Sequence, residues 1–156
     1  MNKTTRGKLH NLIYLAGIID GEGCLGISKN STKKQRQKNP KYQSEVCVVN
    51  TNHALMDWLQ NKIGGLVNAR KNYQEETWKT AYRWRIKEGQ HSTLLKSILP
   101  YLIIKKKQAE LIIEFQETKK LQSLFGRELS DEQKDTREFY YQSLKKLNAK
   151  GSARRD

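Results

Sequence analysis

Residues 15–23 read Leu15-Ala16-Gly17-Ile18-Ile19-Asp20-Gly21-Glu22-Gly23, and the reading of the whole chain turns on them. They close a longer apolar run. Over residues 8–20, Leu9, Leu12, Ile13, Ala16 and Gly17 recur at i, i+3, i+4, i+7 and i+8, the helical period. Leu15, Ile18 and Ile19 make the other side apolar too, so this helix is expected to be buried on nearly all sides. Two helices approach backbone to backbone only where small residues line the contact. Ala16 and Gly17, next to Leu12 and Ile13, supply such a face. Gly21 and Gly23 are expected to end the helix and allow an abrupt turn, projecting Glu22 from its end.

Downstream the period changes to two. Residues 24–30 alternate as a strand, with Leu25 and Ile27 on one face and Gly26, Ser28 and Asn30 on the other. A polar run leads to a second strand at 42–50. A helix is predicted at 53–63, with Asn52 as N-cap and Gly64-Gly65 as its stop. Strands follow near 66–73 and 79–88. A short helix at 92–99 is ended by Pro100, and another runs over about 105–123. Ser130 with Gln133 forms a capping box for a last helix at 131–148, and the tail from Gly151 to Asp156 is expected to fray. The order is αββαββα with further helices after it. It predicts an α+β fold in one domain over 1–156, with a core at about 8–123 and a C-terminal helical extension at about 124–150. Four strands form one antiparallel sheet, and helices cover one of its faces.

What covers the other face is the functional question. Alternation puts Gln43, Glu45 and Cys47 opposite to Val46 and Val48, and Arg83, Arg85 and Lys87 opposite to Tyr82, Trp84 and Ile86; Asn68, Arg70 and Asn72 share one side of their strand. One face is apolar, the other polar and basic. Two readings stay open: a solvated face, or a twisted sheet that enters the major groove, where Arg reads guanine and Asn reads adenine.

The charge favours the second. The chain of 156 residues holds 30 Lys plus Arg against 16 Asp plus Glu, a net +14. A small domain this basic usually meets a polyanion. From Gly23 to Ser44 there is no acid, while Lys29, Lys33, Lys34, Arg36, Lys38 and Lys41 lie there, which suits phosphate contacts. A membrane partner fits poorly, because the longest apolar stretch, Leu12 to Ile19, falls well short of the roughly 20 residues that span a bilayer. The basic start lacks a small-residue cleavage site, so no signal peptide is expected. Cys24 and Cys47 show no metal spacing and read as reduced, small strand residues of an intracellular protein. The three histidines form no metal-ligand pair, and no serine or cysteine nucleophile pattern appears, so covalent catalysis is not expected.

The nine-residue stretch resembles the signature of the LAGLIDADG homing endonucleases, departing from it by Ile for Leu, Gly for Ala and Glu for the second Asp. The order αββαββα is also that family's. The resemblance covers roughly residues 8–123. It implies a sequence-specific enzyme that makes a magnesium-dependent double-strand break in a long, pseudo-palindromic DNA site and leaves 3′ extensions, with Mn2+ or Ca2+ able to take the metal's place. One copy of the stretch implies a homodimer, whose two-fold brings two Glu22 carboxylates close to the axis. Two such carboxylates repel each other and invite divalent cations. Glu22 and the carbonyl of Gly21 are the implied metal ligands, and Asp20 is expected to order the helix end. Lys105, after Pro100-Tyr101-Leu102-Ile103-Ile104, matches the lysine beside the scissile phosphate. Asn50 matches the polar residue that positions water, or else closes a strand-end turn; the basic residue that follows in some members has His53 as its only candidate. Two other functions remain open: an RNA maturase that assists intron splicing, and a DNA-binding regulator that does not cleave.

Overall fold

The computed structural model describes residues 3–30, 40–70, 79–123 and 129–149. Its first helix, α1 (Lys3–Glu22), is longer than the periodicity predicts and runs through Gly21 to Glu22. Glycine inside a helix costs about 1 kcal/mol relative to alanine, too little to break a helix whose neighbours are packed. The reversal happens at Gly23 instead. A Cβ there would lie 2.6 Å from the Ile19 carbonyl oxygen and 2.7 Å from its Cα, so only glycine lets the chain fold back this tightly.

From that turn spring β1 (Gly23–Asn30) and β2 (Lys41–Asn50), paired antiparallel with Cys24 opposite Cys47 and Gly26 opposite Glu45. Next comes α2 (His53–Lys62), N-capped as expected by the Asn52 side chain, which accepts from the Leu55 N–H at 3.1 Å. Gly64 and Gly65 follow with φ of +93° and +92°, backbone that side-chain-bearing residues rarely adopt. The Trp84 indole donates to the Gly64 carbonyl at 2.7 Å, fastening this turn to the sheet. The strands β3 (Leu66–Arg70) and β4 (Ala81–Arg85) complete a four-stranded antiparallel sheet in the order β1-β2-β4-β3. Helices α3 (His91–Ile98), α4 (Lys106–Ser123) and α5 (Asp131–Asn148) follow, and Pro100 sits in a 3-10 turn, Leu99–Tyr101, between the first two. The Ser130–Gln133 capping box is formed.

β4 stops at Arg85, short of the expected 88. Beyond it the chain turns beneath the sheet, because the Glu88 carboxylate accepts from the Ser44 N–H at 3.0 Å and from Lys119 at 2.6 Å. Lys87 is therefore off the strand, and alternation does not govern where it points.

The helices and the apolar sheet face enclose the core: Leu15, Ile19, Leu25, Val46, Val48, Trp84, Leu95, Ile98, Ile112 and Phe115. One polar chain crosses it. The Ser44 hydroxyl donates to His91 Nδ1 at 2.7 Å, His91 Nε2 faces the Ile86 carbonyl at 3.3 Å, and Gln116 donates to the Ser44 oxygen. Burial pushes the His91 imidazole down, so it stays neutral and fills both roles. This serine and histidine are closed off from solvent and tie β2 to α3 and α4. At the other edge α5 is fastened to β1 and β2: Lys29 and the Tyr42 hydroxyl both donate to Glu138, and Asn148 donates to the Leu25 carbonyl at 2.7 Å. No described helix is long and apolar enough to cross a membrane.

Candidate active site and reading face

At its C-terminal end α1 is locked to the segment before α4 from both sides. The Asp20 carboxylate accepts the backbone N–H of Ile103 at 2.8 Å and of Lys105 at 2.9 Å. Burial pushes this carboxyl up, but the N–H groups of Ile103, Lys105 and Ile104 outweigh it and hold the acid below its ordinary value. In return the Lys105 ammonium donates to the carbonyls of Ile19 at 2.8 Å and Asp20 at 2.9 Å. These are last-turn carbonyls that have no partner within a helix, and they form the negative end of its dipole. Lysine and helix end thus hold each other in place.

Glu22 is the last residue of α1 and is exposed, and no described residue pairs with its carboxylate. Carboxylate and carbonyl oxygens, such as those of Glu22 and Gly21, suit a hard divalent cation. Among the described residues of one chain no three His, Cys, Asp or Glu gather into a metal site. These two groups fit part of a coordination shell, which the described residues of one chain do not complete.

The outward face of α1 differs from the expected one. Ala16 is fully buried in its own protomer, so it is not available to a partner helix, and Leu12 is half-buried against the core. The exposed stripe is Gly7, His10, Tyr14, Gly17 and Gly21, with Ile13 beside it, at alternating spacings of three and four. A Cβ on Gly7, Gly17 or Gly21 would meet nothing within 4 Å. Nothing among the described residues calls for small residues there.

The sheet's open face collects most of the residues that alternation placed on it. Strand register puts Gly26 of β1 opposite Glu45 of β2, Ser28 opposite Gln43 and Asn30 opposite Lys41, and Asn68 of β3 opposite Arg83 of β4, with Arg85 opposite Leu66 and the backbone of Arg70 opposite Ala81. Ser28, Gln43, Glu45, Leu66, Arg83 and Arg85 line a concavity of about 640 Å³, and Lys87 borders it from the turn after β4. One assignment needs correcting: Cys47 is buried, at 2% exposure, and its thiol lies 3.6 Å from the Glu45 carboxylate, so it forms the floor of this face and does not reach out from it. Lys33, Lys34, Arg36, Lys38 and Asn72 lie outside the described residues.

Asn50 ends β2 on the opposite, core-facing side, level with Tyr82. Its side chain accepts the Asn52 N–H at 2.9 Å and closes the turn into α2. His53 pairs with Asp57 at 2.9 Å and sets its ring edge-on to Tyr82.

Three features escape sequence reasoning. One is the double hold of Lys105 on α1, which joins positions 85 residues apart. The second is the ion pair between Arg83 and Glu45 on the open face. The third is Cys24, exposed and facing Cys47. A hydrogen bond from Cys47 brings the Cys24 thiol down to about 6, with burial opposing and the charges of Arg83 and Lys105 assisting. Once the hairpin register is known, the facing cysteines follow from it; the other two depend on long-range packing.

Against known proteins, the family model described as LAGLIDADG endonuclease matches residues 15–120. The chain belongs to the LAGLIDADG endonuclease family. Among solved structures it is similar to the homing endonuclease I-CvuI in complex with its target in the presence of calcium, with a TM-score of 0.74 and 19% identity over 94% of this chain and 87% of that one. The archaeal intron-encoded homing endonuclease I-Vdi141I complexed with DNA gives a TM-score of 0.71 and 15% identity over 94% and 89%. I-SmaMI, bound to uncleaved DNA with calcium ions, gives 0.62 and 19%, covering 86% of this chain but only 45% of that one. No curated protein matches the chain.

Proposed function

We propose that the chain is a homodimeric, sequence-specific endodeoxyribonuclease that makes a magnesium-dependent double-strand break in a long, pseudo-palindromic site and leaves 3′ extensions. The observation that carries this is the end of α1, where an exposed Glu22 stands beside a lysine pinned to the same helix end. The glycine stripe of α1 supports dimerisation. So does I-SmaMI, whose chain is about twice as long as the part this one covers. Two protomers joined along α1 bring two Glu22 carboxylates and two Gly21 carbonyls to one axis and extend the open faces of both sheets along one duplex.

The side chains then divide the work. Glu22, with the Gly21 carbonyl, would hold magnesium, which supplies an activated water and neutralises charge on the phosphate. Lys105, held by two carbonyls, points its remaining N–H toward the phosphate being cut. Asn50 orders water at the rim. The Ser28, Asn30, Gln43, Glu45, Asn68, Arg70, Arg83 and Arg85 side chains read base edges in the major groove, and Lys87 meets the backbone.

Selection of cleaved sites from a random DNA library, with magnesium, tests this against Glu22→Gln. Paired cuts on both strands of a two-fold site, lost in the variant while binding survives, support it. Tight binding without any cut by the wild type overturns it in favour of a regulator. Splicing help to a host intron without DNA cleavage does so in favour of a maturase.

A further inference from the structure

On the open face Glu45 is the only acid among the strand residues that the register places there; the others are neutral or basic. A lone carboxylate on a surface that meets phosphates is repelled by them, unless it finds a hydrogen-bond donor. Major-groove edges offer few donors: the cytosine N4 amino group and the adenine N6 amino group. Glu45 does not stand alone, however. Arg83 lies along the sheet and places its Nη2 on the Glu45 carboxylate, and both side chains stay about 35% exposed. The Arg83 Nε is closed off from solvent and has no hydrogen-bond partner among the described residues, so the donors left for a ligand are those on the two Nη atoms. Both residues line the concavity. An acceptor and a fork of donors are thus held side by side at the centre of the face.

We infer that Glu45 and Arg83 act as one unit that reads a C·G base pair in each half-site, an inference that rests on the DNA-reading role proposed above. The edge of that pair sets the cytosine N4 donor next to the guanine O6 and N7 acceptors. Glu45 accepts from cytosine, and Arg83 donates to both guanine acceptors. An adenine in place of the cytosine offers Glu45 a donor too, but its partner thymine gives the Arg83 fork only the O4 acceptor, with a methyl group where the guanine N7 was. A thymine or guanine in place of the cytosine confronts the carboxylate with acceptors alone. The ion pair also keeps Glu45 from repelling the duplex before the base is met, and it holds a long arginine in one place, which lowers the entropy lost on binding.

The test is a binding profile in calcium, so that cleavage plays no part: wild type, Glu45→Gln and Arg83→Gln against a selected site carrying each of the four base pairs in turn at every position. For the wild type the inference expects one position per half-site where C·G is favoured by about 10-fold or more, in line with one good bidentate contact. In Glu45→Gln that preference moves toward A·T, because an amide pairs with the adenine N6 and N7 edge, while all other positions keep their profile. In Arg83→Gln the C·G preference at the same position collapses. Thermal melts of both variants check that the fold is kept. A Glu45→Gln protein whose affinity falls equally for every base overturns the inference and leaves the nuclease reading standing. A wild-type preference for A·T at the position that the variants alter overturns it as well. Failure of the wild type to prefer any DNA sequence overturns both.

Discussion

Replacing Asp20 by Asn tests the link between α1 and the segment that carries Lys105. The carboxylate takes two backbone N–H groups, at 2.8 and 2.9 Å. Asparagine keeps one carbonyl oxygen and turns an NH2 toward the other N–H. One charge-assisted hydrogen bond is lost, worth about 1.5–3 kcal/mol, and because the Ile103 side is open to water about 2 kcal/mol is the better figure. For a chain of this size that lowers Tm by about 4–8 °C. The pH dependence has a definite sign. The Asp20 acid is held below its ordinary 3.8, so its contribution is fully present above that pH and is lost as pH falls through the lower, folded value. The gap between wild type and Asp20→Asn should therefore be widest near neutrality and close in acid, below about pH 4. Scanning calorimetry over that range reads both quantities. On the proposed function, cleavage should also drop by about 10- to 100-fold while DNA affinity holds, because a lysine displaced by about 1 Å no longer meets its phosphate. Equal melts at pH 7, or a gap that stays constant into acid, would refute the reasoning.

Two further expectations follow from the surface of the molecule. Gly17→Leu meets open space inside the protomer and gains helix propensity of about 1 kcal/mol, so the circular dichroism should be unchanged; sedimentation should nonetheless move from dimer to monomer, and a variant that stays dimeric would show that α1 is not the seam. Cys24 should be alkylated by iodoacetamide well before the buried Cys47, with a rate half-maximal near pH 6 and rising with pH as thiolate forms, and Cys47→Ala should shift that midpoint upward; a midpoint near the ordinary 9.0 would rule out the thiol contact.

The sequence carried most of the fold because its periods are long and clean. Alternation over Leu25–Asn30 and Gln43–Val48 sorted those side chains to the faces they occupy, since strand register can only preserve or invert a two-residue period. Asn52 and Ser130 revealed helix starts because capping is a local hydrogen bond between near neighbours. What stayed hidden depends on partners far along the chain. Gly21 reads as a helix stop, yet the helix continues because Asp20 and Lys105 hold its end. β4 was expected to reach residue 88, but Glu88 is drawn under the sheet by Ser44 and Lys119. Ala16 and Gly17 are neighbours in sequence and look like one small patch, but consecutive helical positions are about 100° apart, so one faces the core and the other faces out. Cys47 belongs to the open face by register but is covered there, and periodicity carries no information about what lies over a side chain.

The hold of Lys105 on α1 has a geometric consequence. An ammonium carries three hydrogens in a tetrahedral arrangement. Two of them rest on the Ile19 and Asp20 carbonyls, like two feet of a tripod on a ledge. The direction of the third is then no longer a matter of side-chain rotation; it follows from where that helix end lies. Any tilt of α1 against its surroundings re-aims this single N–H, so the bearing of one proton becomes a gauge of how the whole helix is seated.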